Sequence, residues 1–120
     1  MLKRMQCVSR DWRFYLEHML VCCGKVLDYT HGLELPSFLA NSMMYDAVVR
    51  NLEVLGEAAK NIPDEVRGQY PQVEWRKIAG LCDVLAHFYF GLEDETLWDI
   101  VQNKIPALQS QLQQIQGESP

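Results

Sequence analysis

Positive charge is scarce in this sequence. Its 120 residues hold 11 Lys or Arg against 16 Asp or Glu, a net charge of −5. Past Lys77 the one further lysine or arginine is Lys104. Wide tracking of a phosphate backbone needs clustered cations, so a broad nucleic-acid surface is excluded, and any grip on a polyanion has to be local or assembled between subunits. No apolar run reaches the roughly 20 residues of a membrane-spanning helix. The stretch Met5 to Arg10 is too short and polar for the core of a signal peptide. The cysteines, Cys7, Cys22, Cys23 and Cys82, never take CxxC spacing, which fits reduced thiols and a cytoplasmic location better than a disulfide framework. Also missing are a Gly-rich phosphate loop and a GxSxG nucleophile elbow. His18, His31 and His87 fall in separate segments with no second His or Cys at ligand spacing, so neither a metal nor another cofactor is expected.

What is present is ordinary globular material, 48% hydrophobic and 22% charged. That composition fits a single domain over 1–120, with 1–8 and 116–120 as flexible ends. The apolar residues recur at helical spacing and nowhere alternate as strands do. Ser9 is placed to cap a first helix with Trp12, Leu16, Met19, Leu20, Cys23 and Leu27 on one stripe and Gly32 at its end. Pro36 breaks the connection that follows, and Ser37 is placed to cap a turn. A second helix is expected from about Ser42 to Asn61, then a short turn opened by Pro63. A third should run from Glu74 to Phe90. The last, from Asp94 onward, carries Leu97, Val101, Ile105, Leu108, Leu112 and Ile115, with a kink at Pro106. These elements predict an all-α fold, an antiparallel four-helix bundle with an extra short helix.

On the third helix, Ile78, Leu81, Cys82, Leu85 and Tyr89 form the apolar stripe, while Arg76, Gly80, Asp83 and His87 share the opposite side. Asp83 and His87 are four residues apart, so the carboxylate can fix the imidazole tautomer and raise its basicity, giving a general acid or base. The same spacing is also that of an ordinary solvated helix pair. Cys82 equally fits as a small core side chain, and Tyr89 as a ring packed at the apolar edge.

The run from Trp75 to Phe90 closely resembles the HepT-like branch of the HEPN helical superfamily. Arg50-Asn51-Leu52-Glu53-Val54-Leu55-Gly56-Glu57-Ala58 is similar to that family's second-helix signature, and Arg10-Asp11 to its opening. The resemblance covers residue 10 to about residue 112. It implies a HEPN-like homodimer that acts as a metal-independent ribonuclease toxin, neutralised when a partner minimal nucleotidyltransferase antitoxin transfers AMP to it. By that resemblance His87 is the catalytic histidine, Asp83 the polar position after the motif arginine, and Tyr89 the AMP acceptor. Cys82 stands where the family has an arginine.

That exchange matters chemically. Cleavage by the RNA's own 2′-hydroxyl needs a base, an acid and positive charge for the phosphorane, and a neutral thiol cannot replace a guanidinium there. Activity should therefore be weak unless Arg76 or Arg50 substitutes as a supporting cation. Arg76 lies about 16 Å from His87 along an unbroken helix at 1.5 Å per residue. The alternative is a dimer that keeps the nucleotidyltransferase as partner and has lost cleavage.

Overall fold

The computed structural model describes residues 2–81, 83, 85 and 93–118, with side chains from residue 12 onward. Every regular element among these residues is helical. The first, α1 (Leu2–Thr30), has 29 residues and so a length of about 43 Å. It spans most of the molecule's 51 Å long dimension, against 28 and 23 Å across. The radius of gyration, 15.2 Å, exceeds the roughly 13.6 Å of a rounder domain this size for the same reason.

α1 begins seven residues before the expected cap. Ser9 lies inside the helix, because no glycine or proline separates it from Leu2 and an established helix propagates through a serine at little cost. The end falls as expected: Gly32, with φ +73°, is the only described residue at positive φ, a conformation a Cβ disfavours. Buried Thr30 donates its hydroxyl to the carbonyl of Val26 at 2.8 Å.

The connection is itself a helix, α2 (Leu35–Ala40), with Pro36 in its first turn and Ser37 within it. The side-chain cap comes instead from Asn41, whose Oδ1 accepts from the Met44 N–H at 3.1 Å and opens α3 (Ser42–Lys60). Phe38 is fully buried, its ring 5.4 Å from that of Tyr45 and 4.9 Å from that of Trp98. Next comes α4 (Asp64–Gln69), with Pro63 at its N-cap. From α4, Arg67 donates to the carbonyls of Ile62 and Ala59 at 2.9 and 2.7 Å, tying α4 to the end of α3 and the turn after it.

After α5 (Trp75–Ala79), the chain is described again from Glu93. α6 (Asp94–Asp99) passes through a π turn (Ile100–Lys104) into α7 (Ile105–Glu118). The Ile105 N–H bonds the Ile100 carbonyl, five residues back. The expected disturbance at Pro106 thus takes the form of a widened turn, which makes room for a ring that would strike the carbonyl four residues earlier in an α-helix.

α1 packs against α3 and α7, and α3 packs against α5. One core joins them. It holds Leu16, Met19, Cys23 and Val26 from α1, Val48, Leu52, Leu55 and Ala59 from α3, and the whole expected stripe from Leu97 to Ile115. No helix among the described residues is long and apolar enough to cross a membrane.

Candidate functional site

The segment from Trp75 to Leu85 is anchored from within. Trp75 is buried, and its indole N–H donates to the carbonyl of Tyr70 at 3.0 Å. Ile78 and Leu81 are half-buried and Leu85 is fully buried. Asp83, out of phase with that inward set, is exposed. Its placement opposite the apolar stripe therefore agrees with helical spacing.

The helix expected to run uninterrupted from Glu74 is broken at Gly80, and the end expected at Phe90 lies outside the described residues. α5 stops at Gly80, with φ −80° and ψ −1°. The Gly80 N–H returns to the Arg76 carbonyl at 2.9 Å, and its own carbonyl accepts from the Asp83 N–H at 3.1 Å. A Cβ at Gly80 would stand 3.3 Å from the Arg76 carbonyl oxygen, so the turn suits a residue without one. Leu81, Asp83 and Leu85 resume helical geometry. Arg76 and Asp83 consequently lie on either side of a break, while His87, to which the axial separation from Arg76 was calculated, lies outside the described residues.

Arg76 is exposed and lines an open cleft of about 500 Å³ with Asp64, Arg67, Trp75 and Lys77. Arg50 is exposed on α3, the helix that packs against α5. Cys82, His87 and Tyr89 lie outside the described residues. Of the expected site, then, the structure places Asp83 and the two supporting arginines, all facing solvent.

Charge near the start of α5 is partly paired. Lys77 meets Glu74 at 2.7 Å. The hydrogen bond from Lys77, with its charge, holds the Glu74 carboxyl below the usual range, and Glu74 in turn raises the Lys77 ammonium. The two described thiols of α1, Cys22 and Cys23, behave in the opposite way to a reactive cysteine. Burial pushes Cys22 up, and burial followed by the neighbouring Cys22 pushes Cys23 up to about 12. Such thiols stay protonated and are poor nucleophiles.

These features define an all-helical domain with a solvent-facing acidic residue on a helix that resumes after a glycine break. Its sequence affinities are narrower than that class. The chain belongs to the ribonuclease HepT-like family, which matches residues 19–115. A Methanocaldococcus jannaschii protein provisionally named an RNase is 39% identical over 114 residues, covering 92% of this chain and 94% of the relative. A Caldanaerobacter subterraneus protein, also provisionally named an RNase, is 38% identical over 103 residues, covering 86% and 92%. A Thermococcus cleftensis protein carrying the name probable ribonuclease HepT is 32% identical over 108 residues, covering 90% and 98%. No solved structure gives a significant match.

Two features escaped sequence reasoning. The cleft beside Arg76 forms because Pro63 and Pro71 bracket a compact turn against the start of α5. The sequence signals the turn but not which cations border it. Gly80 was visible as a member of the polar side, and its role as a break was not read from it.

Proposed function

We propose that this chain is a metal-independent ribonuclease whose active form is a homodimer, with the helix bearing Asp83 and His87 completing a four-helix bundle and facing its counterpart across the two-fold axis. The observation that carries the reading is the family membership over residues 19–115, and the solvent-facing position of Asp83 opposite buried Leu85 agrees with it. In the reaction, His87 takes the proton of an RNA 2′-hydroxyl as that oxygen bonds to the adjacent phosphorus. The bond from phosphorus to the 5′-oxygen breaks, and the leaving oxygen takes a proton from the partner's His87. The products are a 2′,3′-cyclic phosphate and a 5′-hydroxyl. Asp83 orients the His87 imidazole and favours its charged form. Two copies are required because one chain supplies a single histidine in this role.

Cys82 stands where the resemblance places an arginine, and loss of such a charge typically lowers the rate by about 10² to 10³. Arg76 or Arg50, both exposed, supplies the replacement charge. The toxin role follows the same reading. Tyr89 takes AMP from ATP through a minimal nucleotidyltransferase: its phenolic oxygen bonds to the α-phosphorus, and pyrophosphate leaves. The bulky anion two residues from His87 then repels RNA. Cys82 also favours a second reading, a dimer that keeps the nucleotidyltransferase contact without cleaving.

The test compares RNA cleavage in chelator by the natural chain, Cys82→Arg and His87→Ala. The first reading expects cleavage that His87→Ala abolishes and Cys82→Arg accelerates. Cleavage only after Cys82→Arg selects the second. Mass analysis of the Tyr89 peptide after incubation with the nucleotidyltransferase and ATP checks the modification.

A further inference from the structure

A second concavity, of about 520 Å³, lies between α5 with the Gly80 turn and the π turn with α7. Its walls are mostly aliphatic, drawn from Ile78, Leu81, Ile100 and Leu108, while the exposed residues Glu74, Lys77 and Lys104 bring its charges. The volume falls within the roughly 300–1,000 Å³ of small-molecule sites, and walls of this kind offer water few partners. The three charged groups do not cancel. Lys77 is paired with Glu74 at 2.7 Å, and Lys104 acts on the same carboxylate from further away. Two ammoniums against one carboxylate leave a single net positive charge beside an apolar hollow.

We propose that this cavity binds a small amphipathic monoanion, a compact apolar body carrying one carboxylate or sulfonate group, with Lys104 meeting the anion. A polyanion such as a nucleoside triphosphate is excluded by the same count, since one net charge cannot balance it and the walls would desolvate the rest. A cation has no unpaired acid to meet among the lining residues. The proposal goes beyond the ribonuclease reading and does not depend on it.

Anilinonaphthalene sulfonate has this chemistry, and phenylnaphthylamine is the same ring system without the charge, so fluorescence titration of both into the full chain tests the idea. The anionic probe should saturate at one per chain and bind about tenfold more tightly than the neutral one, the worth of one charge-assisted contact. Lys104→Gln should remove that preference while leaving the neutral probe unchanged. Ala107→Trp, at an exposed lining position, should block the cavity and weaken both probes more than tenfold, with folding checked by thermal melting. Equal binding of the two probes by the natural chain overturns the proposal. So does an unchanged preference in Lys104→Gln, the variant that decides if Ala107→Trp does not fold. Retained binding in folded Ala107→Trp also overturns it, placing the probe elsewhere, as on the exposed Phe14 and Val21 of α1. RNA is absent from the assay, so its outcome is separate from the cleavage test.

Discussion

Cys23 shows how one buried side chain sets a pH limit. Its thiol is fully buried in the core, with its pKa raised by burial to about 12 from an ordinary 9.0. The unfolded chain releases that proton at the lower pH and the folded chain at the higher. The stability contribution is therefore complete below about pH 9 and is lost as pH rises toward 12. The loss by pH 10 is on the order of 1 kcal/mol. Chemical denaturation between pH 7 and pH 10 checks this: the decline should flatten in Cys23→Ala, which is less stable throughout because it leaves a cavity. A decline of equal slope in the variant would assign the effect to other groups. At the same scale, Arg67 is a half-buried cation partly committed to the backbone: two of its donors hold the carbonyls of Ala59 and Ile62. Counting basic residues therefore overstates the charge available to a ligand.

Among elements, Asn41 carries the junction of α2 and α3. It accepts from the Met44 N–H, and Asn41→Ala should cost about 1 kcal/mol, read as a lower melting temperature. Little of that junction was legible in the sequence. Ser37 and Asn41 are both good caps, and the choice rests on Phe38, which buries itself against Tyr45 and Trp98 and winds residues 35–40 into a helix that encloses Ser37. The long stripes were legible because burial imposes the helical period: every expected apolar position from Leu97 to Ile115 is in the core. Asp83 was readable for the same reason, since Leu81 and Leu85 fix which side faces inward. The break at Gly80 was not. A lone glycine inside a helix costs about 1 kcal/mol, an amount that packing offsets in some helices and not in others, and only the surroundings decide.

For the whole molecule, charge limits how RNA would be held in the proposed ribonuclease. With a net charge of −5 and exposed Arg50 and Arg76 as the proposed supporting cations, each chain would meet few phosphates. The slope of log affinity against log salt should then be shallow, about −1.4 per chain for two phosphates of single-stranded RNA at −0.7 each. Titrations from low to high salt measure it, and a slope near −7 would require a broad basic surface. The π turn has a consequence for the length of the chain. Losing one residue from an α-helix swings everything after it by about 100°, which within α7 would turn Leu112 and Ile115 out of the core. A π turn contains one residue more than its α counterpart, so removal of the exposed Gln102 converts it to α and leaves the later residues in phase. Pro106 alone resists, since its ring would meet the carbonyl that the wide turn now keeps clear. Deletion of Gln102 combined with Pro106→Ala should therefore melt near the natural chain, while deletion of exposed Ser110 from α7, which precedes both Leu112 and Ile115, should not. A relative one residue shorter between Ile100 and Lys104 can keep the same core where the position of Pro106 holds another residue.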